Sequence, residues 1–340
     1  MEEIVIYTDG SCINNGQEDA QAGSGIWYGE NDPRNKALKV PGKTQSNQTS
    51  ELYAALQVAK TTPKETPLLI RSDSEYVING LTKNLTHWED KGWIGVSNSE
   101  MFKATAAWLR SRSSTTSLQW VKGHNGETGN EGADRLAAEE ALLPQAENLD
   151  LDAPANFVHT GAKLATMTQA SLYMGILEQK KSQERMGTIV SLDLARWAIK
   201  DLSNKLPTDS AIWKSIRNKD ITRKIREFLW KSMHNAYKCG KFWNNIPGLE
   251  QRATCPVCNE EESMEHILLE CNAPGQKIIW KLTKELWLKK HDTWPVLKYG
   301  TILGCSMADF KNEGGAPQQG KNRLYRILMS ISFSHMEAQM

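Results

Sequence analysis

Three β-strand signals crowd the first forty residues, and helix and strand signals alternate after them; few folds begin that way. Val5, Tyr7 and Asp9 alternate with Ile4 and Ile6, the period of two expected of a strand with two different faces. Gly23 to Tyr28 reads as a second strand entered through glycines, and Leu38 and Val40 suggest a third, stopped by Pro41-Gly42. Leu52, Ala55, Leu56 and Ala59 then recur at helical spacing, in a helix beginning near Ser50. Leu68-Leu69-Ile70 is a short buried strand ending at Asp73, and Met101 to Leu109 is helical. Leu118 to Val121 is a strand, and Asn130 to Leu143 a helix. Strands first and mixed units afterwards predict an α/β fold, a mixed five-stranded sheet flanked by helices.

The chain has 340 residues, more than one typical domain, so two or three units are expected. A first domain over 1–145 is followed by an expected linker at 146–160, because Pro144 to Thr160 is acidic and carries two prolines. Residues 161–211 read as a helical connector, and 212–340 as a mainly helical domain that ends in a helix from Leu324 to His335. Charge divides along the same line. Residues 1–150 hold 14 Lys and Arg against 21 Asp and Glu, whereas the remainder holds 27 against 19. An acidic front half argues against a simple cationic nucleic-acid binder and suits clustered carboxylates awaiting divalent cations, with a basic module behind. No apolar run approaches ~18 residues, so no membrane partner is expected. The opening Met1-Glu2-Glu3-Ile4-Val5-Ile6 lacks the basic and apolar regions of a signal peptide. Six cysteines in 340 residues are too sparse for a secreted disulfide scaffold. The expected setting is intracellular, nucleus or cytoplasm.

Four acids sit where such a fold could bring them together. Asp9 ends the first strand and Asp73 the fourth, and carboxyl ends of strands are where open α/β sheets build sites. Glu51 falls in the first turn of its helix, and Asp134 near the start of the last one, followed by Ala137, Ala138 and Ala141. Those small side chains would let the helix lie close against the sheet. Four converging carboxylates repel one another unless cations sit among them, and oxygen-only ligands select Mg2+ or Mn2+. Two such ions ~3.5–4 Å apart can activate a water and stabilise the leaving oxygen of an in-line phosphodiester attack. Taken singly, each acid is as well explained as a turn residue or a solvated helix acid.

The surrounding segments are Tyr7-Thr8-Asp9-Gly10-Ser11, Asn47-Gln48-Thr49-Ser50-Glu51-Leu52, Arg71-Ser72-Asp73-Ser74, Trp120-Val121-Lys122-Gly123-His124 and Gly129-Asn130-Glu131-Gly132-Ala133-Asp134. In order and spacing these resemble the type 1 ribonuclease H family from residue 1 to about 145. The resemblance implies that Asp9, Glu51, Asp73 and Asp134 bind the two catalytic ions. It also implies that His124 is the mobile-loop histidine, proposed to shuttle a proton or assist product release. Independently, His124 lies among Gly123, Asn125 and Gly126, and histidine titrates near neutral pH.

The implied substrate is an RNA–DNA hybrid, whose RNA strand is marked by its 2′-hydroxyls. Asn47 and Gln48 match the ribose-reading amide pair, and Cys12 and Asn15 stand near the family's other RNA contacts. Trp88 and Trp93 fall where relatives rest the DNA strand on aromatic rings; core packing is an equal alternative for both. Asn98, with Lys43 or Thr44, matches a pocket that grips a DNA phosphate. Two departures predict a weak grip on a polyanion. The loop Ile13 to Gln21 is longer and more acidic than the glycine-rich version of cellular enzymes, and Trp88-Glu89-Asp90-Lys91 replaces a strongly basic protrusion. No hybrid-binding module precedes Met1, so affinity is expected to come from elsewhere.

Cys255, Cys258, His266 and Cys271 are spaced C-x2-C-x7-H-x4-C. Two thiolates on a tight turn, an imidazole on a short helix that Ser263 could cap, and a closing thiolate describe a filled tetrahedron, a structural Zn2+ site rather than a catalytic one. Cys239 and Cys305 read as ordinary buried thiols. Upstream, Trp213 to Lys241 holds nine Lys and Arg against two acids. Ile221, Ile225, Phe228, Leu229 and Met233 recur at helical spacing as a core face, leaving Arg223, Lys224, Arg226 and Lys231 elsewhere. That is either a phosphate-binding surface for single-stranded or duplex nucleic acid or a solvated positive face. Phe228-Leu229-Trp230, the four ligands, Glu265-His266-Ile267-Leu268 and Trp280 resemble, over roughly 212 to 282, the zinc-binding segment that ends non-LTR retroelement reverse transcriptases. The combination resembles the C-terminal portion of a retroelement polyprotein, or a gene derived from one, of a kind common in fungi. No polymerase motif precedes it, so DNA synthesis is not expected.

Three functions compete at this point. The first is a metal-dependent endoribonuclease acting on RNA–DNA hybrids by a two-metal-ion mechanism. The second is a non-catalytic nucleic-acid-binding module derived from a retroelement. The third is a scaffold docking a protein partner through residues 160–340.

Overall fold

The structure is a computed structural model describing residues 2–123, 125–143, 149–180 and 185–336, the last six as helix backbone. It divides into two compact units, residues 1–182 and 183–340.

In the first unit, β1 (Ile4–Ile13), β2 (Gln21–Trp27), β3 (Lys36–Lys39), β4 (Leu68–Ser72) and β5 (Thr116–Trp120) form one sheet in the order β3-β2-β1-β4-β5. The first three strands run antiparallel, with Asp9 opposite Gly25; β4 and β5 join in parallel, with Tyr7 beside Arg71 and Ser72 beside Trp120. Helices α1 (Asn47–Thr61), α2 (Glu75–Leu81), α3 (Leu85–Asp90), α4 (Ser99–Arg110) and α5 (Thr128–Ala141) flank it, and α6 (Gln169–Gln179) follows. Burial separates the two faces. Ile6, Ile26, Leu68 and Ile70 pack with Ala54 and Val58 of α1, while Leu52, Leu56, Val77, Phe102 and Ala104 make a second cluster among α1, α2 and α4.

Helix α5 covers the opposite face at backbone distance. A Cβ on Gly25 would stand 1.9 Å from the Ala133 carbonyl oxygen, and one on Gly23 would stand 2.3 Å from that of Ala137. The small face of the helix is Ala133, Ala137 and Ala141, all fully buried, whereas Ala138, expected among them, is exposed. A spacing of four keeps those three side chains on one stripe; Ala138 is rotated off it.

Residues 149–180, expected as linker and connector, lie against the first unit. Leu149, Leu151 and Ala153 pack on the Leu52–Phe102 cluster, an every-other-residue pattern that buries one face of an extended segment. The Trp108 indole N–H donates to the Asp152 carbonyl at 2.8 Å. His159 and Lys163 pair with Glu89 and Asp90, and Gly95 N–H donates to Glu178 of α6.

The second unit is helical: α7 (Met186–Ser203), α8 (Asp209–Ser215), α9 (Arg223–Met233), α10 (Gln276–Leu288), α11 (Tyr299–Leu303) and α12 (Gln319–Met336). Trp287 and Tyr325 are fully buried at its centre, with Phe228, Leu229, Ile302 and Leu303 around them. Ile221, Phe228, Leu229 and Met233 are core and Ile225 packs on it, as the spacing predicts. Arg223 and Lys224 are exposed, but Arg226 turns inward to the carbonyl oxygens of Asn218 and Ile221. No helix among the described residues is long and apolar enough to cross a membrane.

Candidate active site and metal centre

Asp9 lies within β1 at the point where the strand passes beneath α1, and it is 6% exposed. Gly10 makes that approach possible: a Cβ there would stand 2.3 Å from Ser50 Oγ and 2.4 Å from the Glu51 nitrogen. The helix starts at Asn47, capped by the Ser46 hydroxyl, earlier than the sequence suggests, because Ser46 completes the cap with Thr49 N–H. Glu51 therefore sits in the second turn rather than the first, and Ser74 Oγ donates to its carboxylate. Asp73 follows β4 directly, its carbonyl accepting the indole N–H of Trp120 at 3.0 Å. The segment after β5 passes so close that a Cβ on Gly123 would stand 2.3 Å from Asp73 Oδ2. His124, the next residue, lies outside the described residues.

Asn130, at the start of α5, is the residue the sequence reading missed. It is fully buried, and its amide N–H groups point at Asp9 Oδ2 (3.5 Å) and Asp73 Oδ2 (3.3 Å), while its Oδ1 has no partner. Its sequence signals were its place one turn before Asp134 on the same helix and its position in the segment Gly129 to Asp134. A second missed group fixes the entry to α5: Tyr7 OH donates to Glu127 at 2.8 Å, and Arg71 donates to the same hydroxyl at 2.6 Å.

The four acids feel one another's charge. Burial pushes the Asp9 carboxyl up to about 8, and the charges of Asp73, Asp134 and Glu51 add to the push against one backbone N–H from Gly10. Glu51 is raised by burial and by Asp73, with the Ser74 bond opposing. A buried acid lifted by other acids has the chemistry of a divalent-cation site, where bound positive charge relieves burial and repulsion together.

Of the expected substrate contacts, Asn15, Asn47 and Gln48 are exposed together, with Asn47 N–H donating to Asn15 Oδ1. Cys12 is half-buried on the same strand end, and Lys43 and Thr44 are exposed. Asn98, in a left-handed conformation ahead of α4, accepts from Thr49 and donates to Tyr76 OH at 3.1 Å. Trp93 is 5% exposed and stacked on Phe102. Its ring belongs to the core, so of the two alternatives packing holds for Trp93. Trp88, tilted against it, is half-buried.

In the second unit, Cys255, Cys258, His266 and Cys271 bring their ligand atoms within 4.8 Å of one another, the one such group of three or more among the described residues. A short bridge from Thr254 to Glu261 folds the first two cysteines over; the Ser263 hydroxyl accepts from His266 N–H at 3.0 Å, and one wide turn, His266–Glu270, leads to Cys271. N–H groups of Asn272 and Ala273 point at the sulfurs of Cys258 and Cys271. Neither buried ring nitrogen of His266 makes a hydrogen bond, and the Glu260 carboxylate lies 3.8 Å from Nδ1, an arrangement that a Zn2+ ion would complete at one nitrogen.

A five-stranded mixed sheet with interacting acids on β1, α1, α5 and the end of β4 defines the class, an α/β protein with a clustered carboxylate site. Residues 1–142 match the RNase H family, and residues 196–287 match the family described as zinc-binding in reverse transcriptase. Ribonuclease H1 of Rattus norvegicus is 35% identical over 145 residues, covering 41% of this chain and 50% of that protein. Ribonuclease HI of Pseudomonas aeruginosa is 32% identical over 152 residues, covering 40% of this chain and 91% of that protein. A crystal structure of a type 1 RNase H with the type 2 active-site motif is 22% identical, with a TM-score of 0.35, over 41% of this chain and 72% of that one. The chain belongs to the ribonuclease H family. It spans about half the length of the mammalian relatives it matches.

Proposed function

We propose that the first unit is a metal-dependent endoribonuclease that hydrolyses the RNA strand of RNA–DNA hybrids. The observation that carries this reading is the coupled acid set, with Asp9 lifted to about 8 by burial and by the charges of Asp73, Asp134 and Glu51. Asp9, Glu51, Asp73 and Asp134 would hold two Mg2+ or Mn2+ ions, which when bound supply an activated water and charge relief at the leaving 3′-oxygen. The chain's own groups prepare that site. The Asn130 amide holds Asp9 and Asp73 facing each other, and Ser74 fixes one oxygen of Glu51. Exposed Asn15, Asn47 and Gln48 offer donors and acceptors for 2′-hydroxyls, Asn98 with Lys43 or Thr44 would meet a DNA phosphate, and His124 would handle the proton. Relatives named ribonuclease H support the reading.

The second unit is proposed as a zinc-stabilised module that faces nucleic acid and supplies affinity the acidic first unit lacks. The test is cleavage of labelled hybrid, duplex RNA and duplex DNA, with Mg2+ and with EDTA, by wild type and Asp73→Asn. Cutting of hybrid alone, dependent on metal and lost in the variant with its fold intact, is expected. Undiminished cutting by the variant overturns the assignment, and salt-dependent binding without cutting by wild type would leave a binding module.

A further inference from the structure

A cavity of about 1390 Å3 opens beside the cysteine–histidine cluster, and no role proposed so far uses it. Lys231, Lys238 and Arg252 line it against one acid, Glu262, and Trp243 and Gln276 form further parts of its wall. Lys231 is ion-paired with Glu227, and a filled zinc centre of three thiolates and a neutral imidazole carries one net negative charge, so the wall is near neutral overall and Lys238 and Arg252 supply its positive charge.

Three features of the wall point to the same ligand. Arg252 lies 5.1 Å over the Trp243 ring, whose indole N–H is tied to the Lys238 carbonyl at 2.8 Å. A ring fixed in this way, with a guanidinium on it, is a platform for stacking a base. Gln276 is 3% exposed, and its side-chain N–H group has no acceptor. It is also the first residue of α10, a 13-residue helix with Gly275 at its cap, no side-chain cap and no acid in its first turn. Unmet N–H groups at a helix start, together with an unmet amide donor, call for an acceptor-rich anion. The volume exceeds the ~300–1,000 Å3 usual for a small-molecule pocket, and a duplex would hide the base faces that Trp243 needs.

We infer that this cavity binds an unpaired stretch of nucleic-acid strand, one base against Trp243 and Arg252 and a phosphate or base carbonyl toward Gln276 at the start of α10. This rests on the reading of the second unit as facing nucleic acid and does not depend on the nuclease assignment.

The experiment uses the full chain, zinc-loaded and without Mg2+, and follows fluorescence anisotropy of labelled ten-nucleotide single strands of RNA and DNA and of the matching duplex. Trp243→Ala and Arg252→Ala are each expected to weaken single-strand binding about fivefold or more. Gln276→Leu should weaken it too, and Trp243→Phe should retain most of it. Zinc content and the melting transition of the second unit should stay at wild-type levels in all four. RNA and DNA strands binding alike supports stacking without sugar readout; preference for either strand over duplex is also compatible. Unchanged affinity in Trp243→Ala, Arg252→Ala and Gln276→Leu, with wild type binding well, overturns the cavity while sparing the broader reading. Absence of single-strand binding by wild type overturns both. Displacement by AMP or UMP at concentrations matching the oligonucleotide would make it a free-nucleotide site and overturn the strand.

Discussion

Replacing Asp9 with Asn should make the metal-free protein more stable while disabling it. The Asp9 carboxyl rises from 3.8 to about 8 on folding. Between those two values the unfolded chain is ionised while the folded one keeps its proton, so the folded state binds more protons and stability falls as pH climbs through the window. At pH 7 the displacement spans about three pH units at ~1.4 kcal/mol each, on the order of 4 kcal/mol. Asn escapes that penalty and keeps an acceptor for Gly10 N–H, but it turns an N–H group instead of an oxygen acceptor toward the Asn130 amide, leaving a net gain of roughly 2–3 kcal/mol. In a unit of 182 residues each kcal/mol moves Tm by about 2–4 °C, so the first transition should rise by roughly 5–10 °C. Scanning calorimetry at pH 5.5, 7 and 8 without Mg2+ reads this directly. The gain should shrink toward pH 5.5, and added Mg2+ should raise the wild type but not the variant. A variant no more stable than wild type, or a gain the same at every pH, would refute the electrostatic reasoning.

Gly25→Ala should drive α5 off the sheet, since its Cβ would sit 1.9 Å from the Ala133 carbonyl oxygen; a loss of about 3 kcal/mol, with activity falling further than stability as Asp134 moves, is expected from urea unfolding paired with cleavage assays. Trp93→Ala should cost about 3–5 kcal/mol as a core deletion and leave the hybrid KM at permissive temperature near wild type; a KM increase without destabilisation would restore a strand-contact role. Cys258→Ser, or a zinc chelator, should lower the melting transition of the second unit and leave that of the first in place, as two-transition calorimetry would show.

Much of the first unit was legible because its strands are short, apolar and punctuated by glycine or proline, and Asp73 falls at the end of β4; Asp9, expected to end β1, lies inside it, because pairing with β2 carries the strand on to Ile13. Helices α2 and α3 went unread: Glu75–Leu81 and Leu85–Asp90 are seven and six residues long, too short for a period of 3.6 to declare itself. The segment after Ala141 was misjudged for a related reason. Its acids and prolines suggested a linker, and the alternation of Leu149, Leu151 and Ala153 is visible only once there is a cluster for it to cover. Trp93 shows the limit on the functional side, since an aromatic residue near a substrate groove and one in the core look the same in sequence. In the second unit the ligand spacing was readable, whereas the cavity beside it joins residues from Lys231 to Gln276 that no local pattern links.

The site is built by close approach, and this explains how an unfavourable charge cluster can persist. Gly10 lets α1 settle onto β1 until Glu51 reaches Asp9, and Gly23 and Gly25 let α5 settle onto β2 until Asn130 and Asp134 do the same. At each contact the residue a larger side chain would disturb is backbone or carries site chemistry, so the packing that offsets the repulsion also sets the carboxylate positions. Stability and metal affinity should therefore part company by location. Changes in the carboxylates raise one and abolish the other, as argued for Asp9, whereas changes in the glycine seam lower both.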